Sequence, residues 1–285
     1  MHAIDDDPGE VQMTEATAIL LVHGIRTSST MWRHQVSALT DAGYRVLAID
    51  LPGHGTSTDT AFTVDAALGS IDAGMNALAP DGEPVILVGL SLGGYFAMAY
   101  AAKNPDRVLG LVAADCSALP LGLPLRGYIT LADLIHCMPD KGLWLHTEMV
   151  KRTLPASGVS DVMAGGVALD VMATGLTATG QLDPLADLAA YPGPIWLLNG
   201  QFDHFRLHER RFLAANPRAR LVVVGGASHL ASLSQPERFT AALRRIAAEL
   251  DAAGAGSDAP GTAPARSPVD TSADTPAPSI VRQGK

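Results

Sequence analysis

Aromatic residues are scarce in this sequence: 5% of its 285 residues are Phe, Trp or Tyr, although 47% are hydrophobic. A core built from it must be mostly Ala, Leu, Val and Met. Cysteine is nearly absent as well. Cys116 and Cys137 are the only two, too few for a disulfide framework, so reduced thiols and a cytoplasmic setting are expected. Basic residues are outnumbered, 20 Lys and Arg against 29 Asp and Glu, for a net charge of −9. That sign repels phosphate backbones and anionic bilayers, so neither nucleic acid nor membrane is an expected partner. No apolar run is long enough to span a bilayer. Asp5-Asp6-Asp7 stands where a secretory leader would be basic and then apolar. His-Glu-x-x-His, Cys-x-x-Cys and phosphate-loop patterns are missing, so no cofactor and no metal is expected.

What is present is a rhythm of short apolar strands and helical periods. Strands are expected at 18–22, 45–50, 85–90, 108–113, 194–199 and 220–224. Helices are expected at 31–42, 64–78, 95–103, 207–215 and 235–250. Such alternation implies a parallel sheet covered on both faces, joined by right-handed crossovers. The rhythm stops between 117 and 187, where helix-like pieces at 129–136, 143–153 and 160–173 are separated by proline and glycine. An insertion of this length is a lid or a second domain. The expected organisation is a core of 1–116 and 188–251, a helical cap of 117–187, and a tail of 252–285. The tail has no aromatic residue and no leucine; it cannot bury enough surface to offset its ordering entropy and is expected to be disordered.

One stretch carries chemistry. Val85-Ile86-Leu87-Val88-Gly89-Leu90-Ser91-Leu92-Gly93-Gly94 runs from an apolar strand through a glycine-flanked serine into a run of helix formers. Strand, sharp turn and helix around G-x-S-x-G form a nucleophile elbow, which holds the serine in a strained conformation with its Oγ aimed away from the sheet. Gly89 and Gly93 leave room for the turn, and Gly94 lets the helix approach the neighbouring strand. A serine hydroxyl is a poor nucleophile at neutral pH and needs a base beside it. His229 follows the last strand through Gly225-Gly226, at the end of the sheet where open α/β folds gather functional groups. Asp203, beyond the preceding strand, is the candidate to orient that histidine. Asp115, at the end of the strand 108–113, is its rival.

Several runs occur together in one order: His23-Gly24, Asp50-Leu51-Pro52-Gly53-His54-Gly55, the Gly89–Gly94 elbow, Gly200-Gln201-Phe202-Asp203 and Gly225-Gly226-Ala227-Ser228-His229. In these the chain resembles the α/β-hydrolase superfamily over about residues 18–250, and most of all capped bacterial serine esterases and C–C bond hydrolases. The resemblance implies a triad in the order serine, acid, histidine, here Ser91, Asp203 and His229. It implies an α/β fold with a helical cap, but only about seventeen residues precede the first strand. A trimmed sheet of about six strands, all parallel, is therefore expected. The oxyanion hole is expected to be two backbone N–H groups. That of Leu92 follows from its place at the elbow helix N-terminus; that of Ile25, after His23-Gly24, is implied by the resemblance.

Substrate contacts are harder to place. Arg26, beside the oxyanion loop, either receives a substrate carboxylate or caps its own loop. Met138, Trp144, Met149 and Met163, with Met172, suggest an adaptable apolar pocket in the insertion. The expected function is hydrolysis of a carboxylic ester, lactone or thioester of a largely apolar small molecule. C–C cleavage of a diketone-type compound and a non-catalytic binding role are the alternatives. Serine at the elbow, where epoxide hydrolases and haloalkane dehalogenases carry aspartate, disfavours those two classes.

Overall fold

The computed structural model describes residues 16–257. Six strands form one sheet: β1 (Ala18–Val22), β2 (Arg45–Ile49), β3 (Val85–Leu90), β4 (Val108–Ala114), β5 (Ile195–Gly200) and β6 (Ala219–Val224). Their order is β2-β1-β3-β4-β5-β6, and each neighbouring pair is parallel. The expected trimmed parallel sheet is therefore observed, with strand ends shifted by a residue at most.

The central strands are buried on both faces because helices cover both. Successive residues point to opposite sides. Leu20, Val22 and Leu87 pack into one core, and Ile19, Leu21, Ile86 and Val88 into the other. Helix α1 (Arg33–Thr40) crosses from β1 to β2, α2 (Val64–Leu78) from β2 to β3, and α3 (Leu92–Lys103) from β3 to β4. The chain moves outward from β1 to β2 and then returns to the other side of β1 for β3. That reversal makes the C-terminal ends of β1 and β3 a topological switch point, the place where a crevice opens in such sheets.

Between β4 and β5 lie α4 (Gly122–His136), α5 (Leu143–Thr153), α6 (Ala156–Ala164), α7 (Met172–Thr179) and α8 (Pro184–Ala190). The single helix expected over 160–173 is instead split between α6 and α7. Gly165 and Gly166, the latter at φ +77°, end the first of them. Helix α8 packs on α3 and buries Leu188 in the main core. The expected cap boundary at 187 thus falls inside a core helix.

After β5 come α9 (Glu209–Ala215), β6, and the helices α10 (Ala231–Ser234) and α11 (Pro236–Ser257). Helix α11 outruns its expected end at 250. Leu250 is buried, and the Asp251 carboxylate accepts from Thr17 Oγ1 and from the Tyr44 hydroxyl, tying the helix back to the start of β1. Residues 252–257, expected to belong to a disordered tail, are therefore helical. The rest of that tail, 258–285, lies outside the described residues.

Candidate active site

Ser91 occupies the turn between β3 and α3 at φ 53°, ψ −116°, a sparsely populated region that costs of order 1–3 kcal/mol for a residue with a Cβ. Its own backbone holds it there. The Ser91 N–H donates to Ala114 O at 2.8 Å, and its carbonyl accepts from Gly94 N at 2.9 Å. A Cβ on Gly89 would lie 2.3 Å from Gly93 O, and one on Gly93 would lie 2.5 Å from both Val22 O and His23 O. A Cβ on Gly94 would lie 2.5 Å from Cys116 Sγ. These close approaches explain the glycines around the serine.

His229 and Asp203 are brought to the serine by two interlocked loops. Gln201 Oε1 accepts from Gly226 N at 2.9 Å, and Phe202 N donates to Ala227 O at 2.9 Å. The result is a relay: Ser91 Oγ to His229 Nε2 is 3.0 Å, and His229 Nδ1 to Asp203 Oδ1 is 2.8 Å. Asp203 Oδ1 also accepts from Phe205 N at 3.0 Å. The Asp203 side chain is fully buried, and His229 keeps an exposed edge.

Asp115 does not reach the histidine. Its Oδ1 accepts from Gly200 N at 2.7 Å and its Oδ2 from Ala231 N at 3.0 Å, so it pins the acid loop to the segment after His229. Burial, and secondarily the Asp203 charge, push its pKa well above the usual carboxylate range. Cys116 beside it is fully buried, and burial raises its thiol well above the ordinary value. It serves as a small core residue.

The loop after β1 is held by the loop after β2. His23 Nε2 accepts from Leu51 N at 2.9 Å while Nδ1–H donates to Gly24 O at 2.7 Å, which fixes a neutral tautomer. His54 repeats the pattern, with Nδ1–H donating to Pro52 O and Nε2 accepting from Arg26 N. The Asp50 carboxylate accepts from Ser29 N at 2.7 Å and Thr56 N at 2.8 Å. The Asp50-to-Gly55 run thus braces the segment that carries Ile25 and Arg26. The Ile25 and Leu92 amides donate to no other described residue, and both residues border the same cavity.

That cavity, about 390 Å³, opens over Ser91 between the sheet end and the helices α4, α5 and α7. Helix α5 turns His146, Met149, Val150 and Thr153 into it, an i, i+3, i+4, i+7 face. Met172 joins them from the edge of α7. Met138, Trp144 and Met163 are not in its lining, contrary to expectation. Trp144 lies two residues from His146, about 200° round the helix, and is 63% exposed. Arg26 does line the cavity, at φ 63°.

Three aromatic rings escaped the sequence reading. Phe205 stacks on His229, and His204 lies against both Phe205 and His229. Tyr128 reaches down from α4 to a 3.4 Å hydrogen bond with His204 Nε2. The available signal was the Phe-Asp-His-Phe run around Asp203 itself. Asp203, His204 and His229 bring ligand-type atoms within 4.8 Å of one another. Two of them, however, are already committed to the 2.8 Å hydrogen bond between Asp203 and His229.

Residues 19–242 match the model of the alpha/beta hydrolase family. Pimeloyl-[acyl-carrier protein] methyl ester esterase of Edwardsiella ictaluri is 28% identical over 250 residues, covering 80% of this chain and 92% of that protein. Epoxide hydrolase B of Mycobacterium tuberculosis is 34% identical over 116 residues, 39% of this chain. The match spans only 31% of that relative's length. Among solved structures, a thermophilic esterase from Thermogutta terrifontis aligns with a TM-score of 0.68 at 28% identity, covering 82% of this chain and 91% of that one.

Proposed function

The chain belongs to the alpha/beta hydrolase family, and from that premise we propose a serine hydrolase that cleaves a carboxylic ester, lactone or thioester of a largely apolar small molecule. The observation that carries this reading is the continuous Ser91–His229–Asp203 relay of 3.0 and 2.8 Å at the floor of a mostly apolar cavity.

In this mechanism His229 Nε2 takes the Ser91 proton as Oγ bonds to the carbonyl carbon. Asp203 holds Nδ1–H and stabilises the imidazolium. The negative oxygen of the tetrahedral intermediate is received by the N–H groups of Ile25 and Leu92, each contributing about 3 kcal/mol. Collapse breaks the bond to the leaving alcohol or thiol, which departs with the proton from His229. Water then attacks the acyl-Ser91 ester, giving its proton to His229, and the acid is released as that proton returns to Ser91 Oγ.

Serine chemistry also separates this reading from the activity of the partly matching epoxide hydrolase. A serine oxygen that opened an epoxide would form an ether, with no carbonyl carbon for water to attack, and the enzyme would be trapped after one event. An acyl-serine ester releases. The unpaired cysteines Cys116 and Cys137 fit a cytoplasmic enzyme, and no helix among the described residues is long and apolar enough to cross a membrane.

The test is turnover of a p-nitrophenyl ester series from acetate to laurate. Turnover with a chain-length optimum, abolished in Ser91→Ala, supports the reading. Folded protein that hydrolyses no member of the series would shift the assignment to C–C cleavage or a binding role.

A further inference from the structure

Two side chains in the catalytic cavity have buried polar atoms with no hydrogen-bond partner among the described residues. His146, on α5, is 5% exposed, and neither ring nitrogen has a hydrogen-bond partner. Arg26, from the loop after β1, has Nε and Nη2 buried and equally unpartnered. Both residues line the same cavity. Burial lowers the pKa of each, and the Arg26 charge is the second cause lowering that of His146, so the two groups are electrostatic neighbours.

No acid among the described residues answers them. The described lining of the cavity contains no Asp or Glu. Asp50 is turned to the amides of Ser29 and Thr56, and Asp203 to His229. His54 Nε2 accepts from the Arg26 backbone N–H, not from its guanidinium. An isolated buried charge is expensive, and buried polar groups are ordinarily paired. The missing partner of such a group in a substrate cavity is a group on the substrate. Nε and Nη2 are the two nitrogens of a single guanidinium edge, whose parallel N–H bonds match the two oxygens of a carboxylate. A neutral imidazole adds one more donor beside it.

We infer that Arg26 and His146 form an anion-receiving corner of the catalytic cavity, and that the substrate carries a free carboxylate in addition to the bond that is cleaved. This inference rests on the serine-hydrolase reading for its chemistry. It narrows the substrate from apolar to amphipathic: an apolar body against Met149, Met172 and Leu176, with a carboxylate at Arg26. Ser91 attacks the ester, lactone or thioester carbonyl, while the carboxylate stays unreacted and fixes the register.

The test uses matched ester pairs followed by pH-stat. Monomethyl adipate against methyl hexanoate puts the carboxylate on the acyl side; 4-acetoxybenzoate against phenyl acetate puts it on the leaving group. The wild type is expected to favour the acid in at least one pair by kcat/KM. Arg26→Met should lower that acid-to-neutral ratio by about 10- to 100-fold, the range of a charge-assisted hydrogen-bonded pair. Arg26→Lys should recover part of it, and His146→Phe should lower it less than Arg26→Met. The ratio is the readout because residue 26 adjoins Ile25, and a disturbed loop would slow both members of a pair alike. Equal rates within both pairs, or a ratio unmoved by Arg26→Met, would overturn the inference.

A binding arm separates failure of this inference from failure of the hydrolase reading. Adipate and dimethyl adipate are titrated calorimetrically into Ser91→Ala. If no ester is turned over by the wild type, saturable binding of adipate that is lost in Ser91→Ala/Arg26→Met still supports the anion corner. Absence of adipate binding together with absence of turnover overturns both.

Discussion

The phenyl ring of Phe205 lies on the imidazole of His229, their centroids 4.6 Å apart and their planes 29° from parallel. The same residue's N–H donates to Asp203 Oδ1 at 3.0 Å. One residue therefore braces both the ring that shuttles the proton in the proposed mechanism and the carboxylate hydrogen-bonded to it. The loop that carries His229 is pinned at Gly226 and Ala227, and beyond those bonds its ring is oriented by the Asp203 hydrogen bond and the Phe205 stack. Phe205→Ala should lower kcat on a p-nitrophenyl ester by about 10-fold through loss of alignment, with Phe205→Leu intermediate. An unchanged kcat in Phe205→Ala would show that the Asp203 bond alone suffices.

Asp203 supplies the acceptor that sets the His229 tautomer. Asparagine is isosteric, but its NH₂ group facing Nδ1 would favour the tautomer with the proton on Nε2. His229 could then no longer accept from Ser91. Asp203→Asn should keep the thermal transition of the wild type within a few degrees and reduce kcat by about 10⁴-fold. Activity within tenfold of wild type would transfer the acid role elsewhere, and Asp115 would again be the first group to examine.

Asp115 has a different assignment, as a clamp. Removing its carboxylate leaves the buried N–H groups of Gly200 and Ala231 unpaired, at about 1–3 kcal/mol each. Asp115→Ala should therefore lower unfolding free energy in urea by several kcal/mol and reduce kcat through the loosened Asp203 and His229 loops. Asp115→Asn retains one acceptor and should fall between. A variant as stable as wild type would sink the clamp.

The elbow was legible in the sequence because each of its glycines is required by a backbone approach, and local constraints leave local signatures. The four central strands β1, β3, β4 and β5 were legible for a related reason: strands buried on both faces must be short, largely unbroken apolar runs. The cavity wall was less so. Helix α5 is apolar on several faces, with Leu143, Trp144 and Leu145 beside Met149 and Val150, and because Trp144 stays exposed, periodicity has no single face to find. The far end of α11 was missed because its Ala-rich chain owes its order to tertiary anchors, Thr17 and Tyr44 on Asp251. Arg26 was noticed but its isolation was not. Burial without a partner is a property of the folded cavity, invisible in a string of residues.

Buried histidines held neutral give the protein an acid-side weakness. Burial, with the neighbouring His54, pushes His23 down to about 3, and burial with Arg26 pushes His146 down to about 4. In the unfolded chain both titrate near 6.5. As pH falls through 6.5 the unfolded state takes up protons that the folded state refuses. The stability linked to each group is therefore complete above that pH and is lost toward its folded value. The slope is about 1.4 kcal/mol per pH unit for each histidine inside its window. Asp187, raised to about 6 by burial and Asp183, works in the opposite direction between about 6 and 4, so the informative quantity is a difference between proteins. Urea unfolding of wild type and His146→Gln at pH 7, 6 and 5 supplies it. The variant should lose less stability between pH 6 and 5, by about 1 kcal/mol. Parallel losses would mean that His146 is protonated in the folded state, and that the cavity holds a second cation beside Arg26 before any substrate arrives.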